Sequence, residues 1–175
     1  MPSYTQEGRP IAVETPLGKD KLLLESVSGT EEMSRLFRFD LDLLSPEDTI
    51  DPKQIVGKQV SFRINRADGS PRWFSGWVSR LTWIGRDERL TRWRAEVVPS
   101  LWFLTRTSDC KAWAEKKKIP EIIEEVLGDH SRVTFEKSLQ GSYTAWEYCV
   151  QYRETDFNFV SRLLEQEGIA YHFTH

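Results

Sequence analysis

Residues 34–45 read SRLFRFDLDLLS, and the order of side chains in this stretch sets the fold class. Phe37, Phe39, Leu41 and Leu43 fall on one parity, and Arg38, Asp40 and Asp42 fall on the other. A period of two with charges opposite apolar groups is the pattern of a half-buried antiparallel strand. Burying the four apolar side chains contributes roughly 6–12 kcal/mol gross, at about 1.5–3 each before chain entropy is charged. A slip of one residue would bury the charges, so the register is strongly specified. The preceding KLLLESVS (21–28) pairs with it across GTEEM.

Further along, SPEDTIDPKQIVGK (45–58) carries two prolines and a closing Gly57, the composition of a loop with at most one helical turn. Three more strands follow. QVSFRIN (59–65) places Val60, Phe62 and Ile64 on one face. After the turn RADGSP, RWFSGWVSRLTWI (72–84) places Trp73, Trp77, Leu81 and Trp83 on one face and Phe74 and Val78 on the other. After GRDER, LTRWRAEVV (90–98) brings Trp93, Ala95 and Val97 into phase. Gly76 inside a long strand marks a sharp bend or a close approach of backbones. Five or six short antiparallel strands joined by turns argue for a barrel or a sandwich, and closure into a small, Greek-key-like β-barrel would hide the edges.

Helical spacing begins only after Pro99. In IPEIIEEVLG (119–128), Ile119, Ile122, Ile123, Val126 and Leu127 make one apolar stripe. Pro120 suits a first helical turn, and Gly128 is placed to stop the helix. A second helix starts on a cap at Thr155 or Asp156, buries Phe157, Val160, Leu163 and Leu164, and ends at Gly168. IAYHF (169–173) then reads as a strand, with Ile169, Tyr171 and Phe173 in phase. The sequence stops at His175 directly after a strand that needs a partner, which reads as an interruption. The fold class is therefore mainly β (α+β), a barrel over 1–108 followed by a strand–helix–strand segment over 109–175.

A net charge of −3, from 24 basic and 27 acidic residues, gives no general attraction to nucleic acid or anionic membranes. The two cysteines, Cys110 and Cys149, make no disulfide framework and read as reduced, although a bridge between them stays open. The opening MPSYTQEGRPIAVETPLG lacks the basic cap and apolar run of a secretory leader. No apolar stretch approaches the roughly 20 residues that span a bilayer. These features place the protein in the cytosol when it is made, with any export independent of a cleavable leader.

The three histidines, His130, His172 and His175, form no metal pattern with either cysteine and read as surface residues. There is no nucleophile elbow and no phosphate loop. Glu31–Glu32, Glu121 with Glu124 and Glu125, and Glu165 with Glu167 are acidic groupings, best read as solvated faces. No residue is assigned a catalytic, cofactor-binding or metal-binding role. One stretch imitates a binding site: Trp73, Trp77, Trp83 and Trp93 interleave with Arg72, Arg80, Arg86, Arg89, Arg92 and Arg94. Exposed aromatics beside a basic stripe on a barrel would grip single-stranded nucleic acid. The plainer reading has the tryptophans filling the barrel and the arginines decorating its outside, with Asp87, Glu88 and Glu96 diluting the stripe.

The segment EYCVQYRETDFNFVSRLLEQEGIAYHF (147–173) closely resembles one found in VgrG proteins, the spike proteins at the tip of bacterial type VI secretion systems. EEMSRLFRFDLDLLS, IVGKQVSF, RWFSGWVSRL and WRAEVVPSLWFL are similar to further blocks of that family in order and spacing, and KAWAEKKKIPEIIEEVLG looks like its first helix. Trp93, Trp113 and Ala114 depart from the pattern in packing detail. The resemblance implies a structural part of a contractile injection machine rather than an enzyme, with no cofactor. It implies a phage tail hub-like region that holds the first barrel (1–108) and the start of the next hub domain (109–175). In the full-length protein it implies a homotrimer that caps the secretion tube, meets baseplate components and effectors, and is exported with them without inserting in a membrane.

Overall fold

Strand pairing in the computed structural model, which describes residues 4–175, follows the alternation of residues 34–45 outward in both directions. The described residues divide into two compact units, residues 4–99 with Phe173–His175, and Ser100–His172.

The first unit is one six-stranded antiparallel sheet made of β1 (Ile11–Glu14), β2 (Leu23–Thr30), β3 (Arg38–Ser45), β4 (Gln59–Asn65), β5 (Pro71–Arg86) and β6 (Thr91–Val98). Its strand order is β1-β4-β5-β6-β3-β2. The meander β4-β5-β6 with β3 laid against β6 is a Greek key, and the sheet curls into a half-barrel around one apolar interior. On β3, Phe39, Leu41 and Leu43 are buried with Phe37 just before it, as the alternation requires. Opposite them stand Val97, Ala95 and Trp93 of β6, in register. The expected loop over 45–58 holds one short 3-10 turn at Pro52–Gln54.

Three aromatic rings organise the interior. Phe62 of β4 stacks on Phe74 of β5 at 5.0 Å, and Phe39 meets both edge-on at 5.3 and 5.4 Å. Offset and edge-to-face pairs of this kind add to what area burial alone contributes.

On β5 the interior row is Phe74, Gly76 and Val78, while Trp83 stands largely in solvent and Trp73 is partly exposed. The expectation that the tryptophans fill the barrel thus holds for Trp93 only. Space is the reason. A Cβ on Gly76 would lie 2.6 Å from Val97 Cγ1 and 2.9 Å from the Val98 carbonyl oxygen, so this row has no room for a side chain there. A register shift between Val78 and Arg80 then turns Leu81 inward, opposite Ala95. Such a bulge changes which parity faces the core, and strict alternation cannot show it.

β1 was not expected from the sequence, because four residues, IAVE, are too short to display a period. It pairs with β4, Val13 opposite Phe62. The edge strands β1 and β2 share no ladder. Between them lies the side chain of Gln6. Its Oε1 accepts from the Val13 N–H (2.9 Å) and the Leu24 N–H (3.0 Å), and its Nε2 donates to the Val13 carbonyl (3.0 Å). One buried amide does here what a strand residue does elsewhere, satisfying backbone groups that would otherwise be left bare.

The second unit begins with a 3-10 stretch, Ser100–Arg106, and continues through β7 (Ser108–Trp113), β8 (Lys117–Lys118), α1 (Ile119–Gly128), β9 (Ala145–Trp146), β10 (Cys149–Thr155) and α2 (Asp156–Gln166). β7 pairs antiparallel with β10, and β8 with β9. α1 buries the predicted stripe from Ile119 to Leu127. Gly128 is its last residue, and the helix stops at Asp129, whose backbone is still right-handed, instead of at a left-handed glycine.

α2 is capped by Thr155, whose hydroxyl accepts from the Asn158 N–H at 3.2 Å. Its fully buried side is Phe159, Val160 and Leu163; the predicted Phe157 and Leu164 are only half-buried. Phe159 is selected because Trp113 stacks flat on it, with centroids 5.2 Å apart. Gly168, at φ +67°, ends the helix as expected. The Gly168 N–H donates to the Glu165 carbonyl and the Ile169 N–H to the Leu164 carbonyl, the paired bonds of a Schellman stop.

The predicted strand over 169–173 does not form. Ile169, Tyr171 and Phe173 keep the predicted alternation of burial, but no ladder partner lies beside them among the described residues. Cys110 is exposed and Cys149 buried, and both are free thiols. Burial raises the pKa of Cys149, which keeps that thiol unreactive.

Candidate functional site

The Trp/Arg stretch is the first surface to weigh. Trp73, Trp83 and Ile84 are exposed along β5, so an aromatic platform exists. Of the six arginines beside it, Arg86, Arg92 and Arg94 are committed to carboxylates. Arg94 meets Asp42 at 2.8 Å, and Arg92 meets Glu25 at 3.0 Å and Asp87 at 3.7 Å. Arg86 meets Asp48 at 2.8 Å. Arg38 bridges Asp40 and Glu96 at 3.1 and 3.0 Å. Arg72 lies over the Phe74 ring at 4.7 Å.

Register explains the pattern, since Asp42 stands directly across from Arg94 in the β3–β6 ladder. The hydrogen bond from Arg94 holds the Asp42 carboxyl below its ordinary pKa, so this carboxylate stays charged. A phosphate chain would have to displace these carboxylates one by one, which removes most of the favourable charge term. The basic stripe legible in the sequence is, in three dimensions, half of a two-signed lattice.

The second candidate is a buried polar cluster in the second unit. Asp156, the first residue of α2, is 8% exposed. Its Oδ2 accepts from the Thr107 hydroxyl (2.7 Å) and from His130 Nε2 (2.9 Å), and its Oδ1 accepts from Gln151 Nε2 (2.7 Å). The Asp156 N–H donates to the Thr107 carbonyl at 3.1 Å. His130 was expected at the surface, yet its side chain is only 14% exposed.

An acid, an imidazole and a hydroxyl in contact invite comparison with a nucleophilic triad, but the connectivity is wrong for one. The hydroxyl donates to the carboxylate and not to the imidazole, so nothing is placed to take its proton. The cluster ties the segments around 107, 130 and 151 to the start of α2. Sequence reading missed it because its partners lie 49 and 26 residues away from Asp156. Among the described residues no group of three His, Cys, Asp or Glu side chains is arranged to hold a metal ion.

A pH dependence follows from this cluster. Burial by itself raises the Asp156 carboxyl, but the hydrogen bonds from Gln151, Thr107 and His130 outweigh it and hold the group below its ordinary value. A carboxylate depressed in the folded state contributes stability that is present above its unfolded pKa, near 3.9, and is lost as pH falls through the folded value. The unfolding midpoint is therefore expected to drop below about pH 4. Asp156→Asn should flatten that part of the profile while lowering stability at neutral pH. An unchanged acid limb in the variant would count against the cluster.

His172 is exposed, as expected. His175 is not a surface side chain: its ring is 8% exposed, although its backbone is open.

Neither candidate converges on a reacting centre. What the geometry defines is a β-built structural module, with an ion-paired exterior on the first unit and a hydrogen-bonded helix junction in the second. A profile of the phage tail baseplate hub (GPD) family matches residues 30–175, and the chain belongs to that family. It is 42% identical over 95% of its length to the type VI secretion system spike protein VgrG1a of Pseudomonas aeruginosa, and 42% identical over 98% to VgrG1c of the same organism. It spans 26% and 24% of those two proteins, about a quarter of their length. Among solved structures it superposes with a TM-score of 0.75 on an Escherichia coli component of the type VI secretion system described as structurally similar to the bacteriophage T4 tail proteins gp27 and gp5. That superposition covers 96% of this chain and 44% of the other at 23% identity, so it speaks for the fold. The resemblance to VgrG spike proteins and the hub-like β fold read from the sequence both hold. No helix among the described residues is long and apolar enough to cross a membrane.

Proposed function

We propose that this chain is the hub segment of a type VI puncturing spike, a structural part that carries load and does no chemistry. The observation that carries the reading is 42% identity to two VgrG spike proteins across nearly the whole chain. In this reading residues 1–108 form the first hub barrel and residues 109–175 begin the next hub domain. The full-length protein associates as a trimer, caps the secretion tube, contacts baseplate components and effectors, and is made in the cytoplasm before export through the machine. A rigid half-barrel with a charge-paired exterior suits such a collar, because closely packed cores resist deformation.

Binding of single-stranded nucleic acid is not favoured, since three of the six arginines that would drive it, Arg86, Arg92 and Arg94, are paired with carboxylates. The test is affinity purification of the full-length protein from cells that express the tube and baseplate components, with sedimentation of the product. Recovery of tube protein with a spike of three copies is the expected result. A monomer that retains none of these components would overturn the reading.

A further inference from the structure

A cavity of about 460 Å³ opens on the first unit, within the range of small-molecule sites, about 300–1,000 Å³. Its floor is one row across three strands. Ala12 of β1 stands opposite Arg63 of β4, and Arg63 opposite Trp73 of β5. The next row along, Val13, Phe62 and Phe74, points into the core, so Ala12, Arg63 and Trp73 belong to the outer side of the sheet. Ala12 is nonetheless only 7% exposed, because residues 14–20 fold back as a wall of the cavity. That wall is pinned at both ends. The Gly18 N–H donates to the Thr15 carbonyl at 3.1 Å, and Asp20 Oδ1 accepts from the Gln6 N–H at 3.0 Å.

Two features of the lining call for a ligand. Thr15 Oγ1 is buried and has no hydrogen-bond partner among the described residues, a state that native hydroxyls rarely keep. The second feature is charge. Lys19 and Arg63 line the same space as Glu7, Glu14 and Asp20, and none of the five is ion-paired among the described residues. Arg63 donates instead to Asn65 Oδ1 at 2.6 Å. A cationic ligand would meet Lys19 and Arg63, and an anionic one would meet three carboxylates. Among the described residues no three acidic groups are arranged to hold a metal ion. Hydroxyl groups suit both signs, since each donates to a carboxylate and accepts from an ammonium or guanidinium. Trp73, 37% exposed, offers a flat apolar face on which the C–H side of a pyranose ring can stack.

We propose that this cavity binds a neutral saccharide. One sugar ring lies on Trp73, its hydroxyls are shared between the cations Arg63 and Lys19 and the carboxylates Glu7 and Glu14, and one of them bonds the Thr15 hydroxyl. The floor rests on three paired strands and the wall is pinned, so little ordering is required on binding. The site belongs to the first unit alone and does not depend on the spike reading.

Titration of the intact chain with cellobiose, followed by proton–nitrogen correlation NMR, tests this. Saturable shifts are expected at the Trp73 indole N–H and at the Ala12 and Gly18 amides. Trp83, an exposed tryptophan of the same strand outside the cavity, should not move. Trp73→Ala should weaken binding about tenfold, the contribution of a stacked aromatic face. Thr15→Val, which keeps the shape and removes the hydroxyl, should weaken it about fivefold. Trp83→Ala should bind as the parent does. Absence of saturable shifts with both cellobiose and maltose would overturn the proposal, as would equal losses in Trp73→Ala and Trp83→Ala. Saturation by glutamate or by arginine where neither sugar binds would assign the cavity to a charged ligand and remove the saccharide.

Discussion

Phe39→Asp is expected to unfold the half-barrel. Phe39 is 8% exposed and lies between Phe37, Phe62 and Phe74, at 5.1, 5.3 and 5.4 Å. Removing the ring alone costs about 3–5 kcal/mol in a core of this kind. The aspartate then faces a choice between burying a carboxylate and breaking β3 away from β6. Either adds several kcal/mol, against a total stability of about 5–15 kcal/mol for a domain. Loss of near-ultraviolet circular dichroism and of a cooperative melt would report the collapse. Thr82→Asp on the exposed side of β5 is the control, and should shift stability by no more than about 0.5 kcal/mol. A folded Phe39→Asp protein as stable as the parent would mean that the phase assigned to β3 is wrong.

The second large effect is expected at Gln6→Leu. Leucine nearly conserves volume and apolar contact, so a simple packing account predicts little change. The hydrogen-bond account predicts the opposite. Gln6 serves the Val13 N–H, the Val13 carbonyl and the Leu24 N–H at once, and leucine leaves all three bare at the seam between β1 and β2. At about 1–3 kcal/mol for each buried group left without a partner, the loss is roughly 3 kcal/mol or more. Gln6→Glu separates the terms further. Its carboxylate can still accept from both N–H groups, but it cannot donate to the Val13 carbonyl until it is protonated. The Glu variant should therefore recover part of its loss as pH is lowered toward its own pKa, while the Leu variant should not. Denaturant midpoints for the three proteins decide the matter. A Leu variant within about 0.5 kcal/mol of the parent would show that the seam is held by apolar contact alone.

The sequence was most informative where burial is one-sided over a full element. β3, β4, β6 and α1 each bury one face and wet the other, and a period of two or of about 3.6 is the direct imprint of that condition. The same logic explains the failures. β5 shows two parities of comparable bulk, and a tryptophan row looks more like core than Phe74, Gly76 and Val78 do. Only the approach of Val97 to Gly76 shows that the space inside is too small for it. The histidines misled for a related reason: nothing local marks His130 or His175 as buried, because the carboxylates that accept from them, Asp156 and Glu31, are 26 and 144 residues away.

The amino-acid order by itself determined the fold class, the strand register around β3, both helices and the resemblance to the hub and spike family, because each is written in the spacing of neighbouring residues. Tertiary structure alone decided which face of β5 turns inward, that one glutamine closes the seam, that carboxylates pair with Arg86, Arg92 and Arg94 of the stripe, and that an imidazole completes the edge at Ser75. These are pairings between groups far apart in the chain, and their partners are chosen by where the backbone runs short of hydrogen bonds or space, which no local pattern records.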